Sequence, residues 1–372
     1  MIYDGHAYCF PSPNSQHGFP ESKESQQLLH LAMAVHRMQP SWRKRDRFPS
    51  NDSVLADPSR EGFDALSDVE IRLADHGRVE WTVDGEDYVK QALPPSTVNF
   101  SFPPEALIAE MDYANVDKAL LHRTPYMGVS NQYIAQCTSS FPDRLKGLAY
   151  IPEWQIEPDL DNSIREIERA IIDLDLSGLQ FNPSYGRLYG KVRDWNAPSF
   201  TPFWDAVASL DVPVFFTISA SSLSAYLEEL MALRAWMDRY PNVEVVQTHG
   251  FNWRAFASQD VLAIPDAVYE AAPIDNPNYH VQILFAVFLQ TRWEYPMPQV
   301  RETLRDMVDR LGADRILWGT DIPIVLLHWT YLQSLNYIRN YCDFMSRSEM
   351  ELVLGGNMAR LMDCETNPAR TA

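Results

Sequence analysis

Eight short apolar, β-rich runs, most of them followed by a stretch of helical periodicity, constrain this chain more than any other feature of its sequence. They are Ile2 to Phe10, Val116 to Leu121, Leu145 to Ile151, Ser177 to Phe181, Val212 to Ile218, Val243 to Thr248, Val281 to Val287 and Arg315 to Trp318. Between them, Asp161 to Leu174 sets Ile164, Ile167, Ala170, Ile171 and Leu174 at helical spacing and carries charge on its reverse side. Leu223 to Tyr240 and Arg301 to Leu311 read the same way, and Gly312 stops the latter as a C-terminal cap. Parallel strands need a crossover to reach their neighbours, so strands alternating with helices imply β/α units. Eight such units fit a closed barrel. An open doubly wound sheet is the alternative, but no GxGxxG loop follows the first strand. The expected fold is α/β, a (β/α)8 TIM barrel formed as a single domain over residues 1–372.

One segment breaks the alternation. Residues 11–102 separate the first two strands, far more than a βα loop needs. This insertion predicts a helix around Gln26 to Met38 and a hairpin, Val79 to Val83 and Glu86 to Lys90, turned by Asp84-Gly85. Because it follows strand one, it lies on the face where barrel enzymes hold their active sites. It is therefore a lid or a subunit interface, and Trp42, Phe48, Phe63 and Trp81 among its charges suit interface anchors.

Composition removes several functions. A formal net charge of −19 repels phosphate backbones, and the short basic run Arg43-Lys44-Arg45 is ended by Asp46, so nucleic acid is not an expected partner. No run of about 18 apolar residues is present to span a membrane. The N-terminus lacks a charged-then-apolar signal pattern. Cys9, Cys137, Cys342 and Cys364 are widely spaced and form no CxxC pair, which predicts reduced thiols. A soluble, cytoplasmic protein acting on a small molecule is the expectation.

In a barrel of this kind, polar residues at strand C-terminal ends are the candidates for chemistry. Strand one offers Asp4, His6 and Tyr8, whose alternation predicts that all three point into the barrel. Strand six ends in Thr248-His249-Gly250, and strand eight in Gly319-Thr320-Asp321-Ile322-Pro323. Imidazole and carboxylate from different strands meeting at one mouth are what a Zn, Mn or Fe site requires. A lone histidine is more often a hydrogen-bonded structural group, but His6, His249 and Asp321 occupy matching strand ends, which favours function. A tyrosine such as Tyr8 can simply pack its ring and hydrogen-bond its hydroxyl. His122 and Glu153 follow strands two and three; a second metal or a supporting role suits them, and the latter is favoured. His17, His30, His36, His76 and His280 receive no role.

These residues resemble the amidohydrolase-related (amidohydrolase-2) family of metal-dependent decarboxylases and hydrolases. The resemblance runs nearly end to end: Met-Ile-Tyr-Asp-Gly-His-Ala at the start, Arg144 to Pro152, Gly178 to Pro183, Val245 to Gly250, Arg315 to Pro323 and Leu354 to Leu361. It implies the barrel and one divalent metal held by His-x-His on strand one, a histidine after strand five and an aspartate after strand eight. A histidine after strand six serves the family as acid or base. Here strand one reads His6-Ala7-Tyr8 and strand five ends in Thr217, so two of the usual ligands are replaced. Asp321 and His249 keep the family's positions.

Tyrosinate is a hard ligand suited to oxidised iron or manganese. The altered set, together with the long first insertion, resembles a branch, exemplified by 2-aminoisobutyrate hydroxylase, of paired related subunits with a non-haem dinuclear metal centre. That resemblance implies a metal-dependent oxygenase subunit acting on a small aliphatic (amino) acid, whether as the catalytic or the supporting chain. Its metal ligands would be His6, Tyr8, His249 and Asp321, with His249 also catalytic, and its partner a homologous barrel subunit. The alternatives are a metal-dependent decarboxylase or hydrolase of small carboxylic acids and a non-catalytic barrel partner.

Overall fold

The computed structural model describes residues 1–13, 15, 27, 29–31, 33–34, 41–50, 55–57, 59–60, 62–123, 130–184, 194–220, 222–258, 260–284 and 293–363. β1 (Tyr3–Tyr8) opens the chain. The insertion contributes β2 (Ser41–Arg43), β3 (Pro49–Ser50), β4 (Arg72–Ala74), β5 (Arg78–Val83) and β6 (Glu86–Gln91). The barrel resumes with β7 (Lys118–His122), β8 (Leu145–Gly147), β9 (Ala149–Tyr150), β10 (Leu179–Phe181), β11 (Val214–Phe216), β12 (Val245–Gln247), β13 (Tyr279–Ile283) and β14 (Ile316–Trp318).

All barrel pairings are parallel, in the order β1-β7-β8 and then β9 through β14. β8 and β9 are halves of one barrel strand interrupted at Leu148, which gives eight barrel positions. The ring closes between β1 and the end of β14 by a single Ala7–Ile322 bridge. Two backbone hydrogen bonds reinforce it, Tyr8 N–H to the Ile322 carbonyl at 2.9 Å and Asp321 N–H to the His6 carbonyl at 2.8 Å. Each expected strand is present but shorter than its apolar run, because the ends of those runs turn into loops. The seventh begins at Tyr279, so His280 lies inside it, and Phe285 to Val287 lie outside the described residues.

Two apolar layers hold the barrel. Its interior takes Tyr3, Leu120, Leu148, Phe215, Val246 and Leu317 from six barrel strands, plugged by Met358 and Met362 of the helix Asn357–Met362. The outer layer packs strand residues such as Leu121, Phe181, Val214, Phe216 and Trp318 against helices that present Ile167, Trp204, Trp236 and Leu304. Burial of a Leu or Phe side chain stabilises by about 1.5–3 kcal/mol, so these two layers dominate the fold.

The insertion builds an antiparallel sheet in the order β3-β2-β6-β5-β4. Its hairpin pairs Val83 with Glu86, and both turn residues are left-handed, Asp84 at φ 49° and Gly85 at φ 76°. That is the backbone a two-residue hairpin of this twist needs. Of the expected helix, residues 27, 29–31 and 33–34 are helical, and the rest of Gln26 to Met38 lies outside the described residues. The aromatic residues proposed as anchors divide. Trp81 is fully buried and stacks on Tyr88, and Phe63 packs with Leu31 and Leu66 on Trp154 beyond β9, whereas Phe48 is 65% exposed. The insertion therefore spends part of its aromatic surface on its own barrel.

Among the described residues, no helix is long and apolar enough to cross a membrane.

Candidate metal centre

His6, His249 and Asp321 meet at the C-terminal mouth of the barrel, each offering one ligand atom within 4.8 Å of the others. Metal–ligand bonds of about 2.0–2.3 Å fit inside such a triangle. His249 and Asp321 both adopt left-handed backbone, each at φ 63°. Such conformations cost non-glycine residues on the order of 1–3 kcal/mol and gather at functional sites. They turn these two side chains inward just where their strands end. Gly319 permits the approach of β14, because a Cβ there would sit 2.9 Å from the His6 Cβ.

Tyr8 belongs to the same cluster. Its hydroxyl lies 2.8 Å from His6 Nε2 and also hydrogen-bonds Asp321. The third strand-one candidate, Asp4, does not join them. A register shift between Asp4 and Ala7 breaks the alternation, so Tyr3 lines the barrel interior and Asp4 reaches Tyr331 on the helix after β14. The expectation that Asp4, His6 and Tyr8 share one side is thus corrected by a bulge that leaves no mark in residue type.

Gln282 is a neighbour that sequence reading missed, because a glutamine inside an apolar strand carries no motif. Its amide N–H donates to the Gly5 carbonyl at 2.6 Å, which leaves its oxygen to accept from His6 Nδ1 at 2.6 Å. The His6 proton is thereby placed on Nδ1, and the Nε2 lone pair faces Tyr8 and, at 3.6 Å, Asp321. The single Tyr8 proton can serve one of two acceptors, the imidazole nitrogen or the carboxylate. With Asp321 ionised, the centre would hold more acceptors than protons, which suits a cation.

Electrostatics agree. Burial, with the Asp4 carboxylate nearby, pushes the Asp321 carboxyl up to about 8. Burial, then His122 and His249, holds His6 well below its ordinary range. Asp321 lacks a positive partner that would let it ionise, and a bound divalent cation would be one.

The remaining candidates support the cluster. His122 stacks on His6 with ring centroids 3.6 Å apart and 10° between planes, and its Nε2 donates to the Gly5 carbonyl at 2.9 Å. Burial lowers it to about 3, so it is a neutral wall for His6. Glu153 accepts from the Tyr150 hydroxyl at 2.7 Å and the Asn182 N–H at 2.8 Å, and burial raises it to about 8. Neither enters the ligand triangle. The Thr217 hydroxyl is paired with that of Thr248 at 2.7 Å. His30, His76 and His280 bond the Leu55 carbonyl, the Pro95 carbonyl and Glu244. His17 and His36 lie outside the described residues.

The amidohydrolase (Amidohydro_2) family model matches residues 68–363, and the chain belongs to that family. The matched span includes His249 and Asp321 but begins after β1. A 2-amino-3-carboxymuconate-6-semialdehyde decarboxylase of Dictyostelium discoideum is 24% identical over 297 residues, 71% of this chain and 77% of the relative. A gamma-resorcylate decarboxylase of Polaromonas is 25% identical over 230 residues, 52% of this chain and 64% of the relative. Among solved structures, a dihydroxybenzoic acid decarboxylase of Polaromonas with bound manganese and 2-nitroresorcinol superposes with a TM-score of 0.51. It is 18% identical and covers 71% of this chain and 86% of its own. That likeness establishes the shared barrel.

These relatives overturn the oxygenase expectation. Their names denote decarboxylation, which needs neither dioxygen nor a reductant. The geometry fits a single-metal centre: among the described residues one ligand triangle forms, and neither His122 nor Glu153 joins it.

Proposed function

We propose that the chain is a divalent-metal-dependent lyase or hydrolase of small carboxylic acids, with non-oxidative decarboxylation as its reaction. The observation that carries the proposal is the convergence of His6, His249 and Asp321 within 4.8 Å at the barrel mouth. The decarboxylases among the relatives, and the manganese in one of the similar structures, support the choice of reaction and metal. His6 Nε2, Asp321 and a ring nitrogen of His249 would hold the cation, with the Tyr8 oxygen beside them as a fourth donor. Bound there, a divalent ion of Zn, Mn or Fe supplies positive charge that polarises a substrate oxygen and steadies the electron pair left on carbon.

The chain's own residues supply the rest. Gln282 keeps the His6 proton on Nδ1, so that Nε2 stays free to donate its lone pair. The buried His122 and Phe215, edge to face with ring centroids 5.4 Å apart, would help keep water from a reacting bond above them. Decarboxylation breaks one C–C bond, releases carbon dioxide and requires one proton at the carbon left behind. His249, partly open at the mouth, would hold that proton on the ring nitrogen that does not face the cation.

The test is carbon dioxide release from a panel of small aromatic and unsaturated acids, under strict anaerobiosis, by protein loaded with Mn(II) or Zn(II). His6→Ala and Asp321→Ala are each expected to lose bound metal and turnover together. Metal stoichiometry unchanged in both variants, or turnover only with dioxygen, would sink the reading. We also propose a homologous barrel as partner, supported by the 65% exposure of Phe48 on the insertion. Light scattering on the co-expressed pair tests it, and a strict monomer under all conditions refutes it.

A further inference from the structure

We propose that Asp4 is a positioning residue, holding His6 and Asp321 in register across the seam where the barrel closes. The inference rests on the metal reading above and deepens it. β1 and β14 share no strand ladder among the described residues; one bridge, Ala7 to Ile322, joins them. Elsewhere neighbouring barrel strands are laced by ladders or continue along the chain. The candidate ligands His6 and Asp321 stand on opposite sides of this weakest join. Backbone ties across the seam are few among the described residues, that bridge and the Asp321 N–H to His6 carbonyl bond at 2.8 Å among them, which leaves a need for a side chain that spans it and reinforces their separation.

The Asp4 carboxylate meets that need. It is fully buried and accepts four hydrogen bonds. Oδ1 takes the His6 N–H at 3.0 Å and the Thr320 N–H at 3.1 Å. Oδ2 takes the Thr320 hydroxyl at 2.6 Å and the Tyr331 hydroxyl at 2.8 Å. One donor belongs to His6 itself, and two belong to the residue before Asp321. The Thr320 oxygen in turn accepts the Ile322 N–H at 3.2 Å, and the Ile322 carbonyl accepts the Tyr8 N–H at 2.9 Å. One carboxylate thereby organises residues 6, 8 and 320–322. Tyr331 anchors the group to the helix Tyr331–Tyr341, so the seam is tied to the outer layer.

Four donors aimed at one group also explain why an acid stands there. An amide accepts on one of its two atoms only, so Asp4→Asn would turn an NH2 toward the Thr320 or Tyr331 hydroxyl. Groups that orient metal ligands change affinity by about 10–100-fold when removed.

The experiment uses Mn(II) alone. Its affinity is measured by chelator competition, and the bound ion's electron paramagnetic resonance spectrum reports ligand geometry. Circular dichroism melts of the metal-free proteins establish folding. Asp4→Ala is expected to be folded, to bind Mn(II) roughly 10–100-fold more weakly and to give an altered spectrum. Asp4→Asn is expected to fall between it and the parent, and Tyr331→Phe to lose only a few-fold. Folded Asp4→Ala with parental affinity and spectrum overturns the proposal while leaving the metal reading intact. If Asp4→Ala does not fold, Asp4→Asn and Tyr331→Phe decide, and parental behaviour in both overturns it. A parent chain that binds no Mn(II) sinks the metal reading first, and this proposal with it.

Discussion

The barrel and the insertion are held together differently, and the difference governs what each can be asked to do. The barrel's parallel strands bury both faces, one layer inside the ring and one beneath the helices. The insertion's sheet is antiparallel and laced on its exposed side by ion pairs such as Arg43–Asp46, Lys44–Glu80 and Arg45–Glu86. Exposed pairs of that kind are screened by water and contribute little. The insertion's firm attachments are its buried side chains, among them Leu29, Leu55, Val79, Trp81 and Leu93 and the Leu31–Phe63–Trp154 contact. The ring carries the candidate ligands, and the insertion adds a separate antiparallel sheet that shares part of the ring's core.

Removing one large side chain from each region tests that contrast most severely. Phe215→Ala opens a cavity in the barrel interior and is expected to cost about 3–5 kcal/mol of global stability. Trp81→Ala removes a comparable volume from the hairpin, and its cost should appear as local opening of the insertion with metal binding retained. Denaturant unfolding combined with hydrogen exchange reads both. A global loss of equal size in the two variants would mean that the insertion and the barrel form one cooperative unit.

Sequence exposed these two regions unequally. The barrel was legible because burial on both strand faces leaves continuous apolar runs, and Ile164, Ile167 and Ile171 mark a helix face without ambiguity. His6, His249 and Asp321 were legible because polar side chains at strand ends have few structural reasons to be there. Gln282 and the roles of Asp4 and Thr320 were hidden, since they depend on a bulge and on hydrogen bonds across about 277 to 316 residues of chain. Tyr8 points toward oxygen chemistry in the sequence alone, and the decarboxylases among the relatives correct that expectation. A phenol within reach of a carboxylate and an imidazole is also compatible with a plain Lewis-acid site. In the insertion, aromatic content alone did not separate Trp81, buried within its own chain, from Phe48 at the surface.

The pH response separates the regions at intermediate cost. Asp321 is pushed up to about 8, so below that pH a cation must displace a proton to bind. Apparent Mn(II) affinity is therefore expected to fall with decreasing pH, by at most about tenfold per unit for one displaced proton. Metal-free stability has the opposite sign. A carboxyl whose folded pKa exceeds its unfolded value binds more protons when folded, so stability rises as pH falls from about 8 toward 4. Glu153, raised to about 8 as well, adds to that trend, so Asp321→Asn should reduce the slope of metal-free stability without abolishing it. Titrations of affinity and of melting temperature measure the two signs. A flat affinity between pH 6 and pH 8 would remove Asp321 from the ligand set.

The smallest expected effect belongs to the insertion's turn, and it isolates backbone strain from packing. Gly85 sits at φ 76°, and a Cβ built there would meet nothing within 4 Å. Gly85→Ala therefore adds no collision; it asks only that an L-residue occupy the left-handed region, at about 1–2 kcal/mol. The penalty falls on a hairpin whose β5–β6 pairing supports the insertion's sheet, far in character from the crowded glycine beside His6. Hydrogen exchange at Val83 and Glu86 should quicken by about 5–30-fold if the turn opens alone, which is that energy expressed as a ratio. Mn(II) affinity should stay at the parental value, because no ligand depends on this turn. A parallel loss of Mn(II) binding would instead make the hairpin part of the centre's scaffold, and the division between ring and insertion would have to be redrawn.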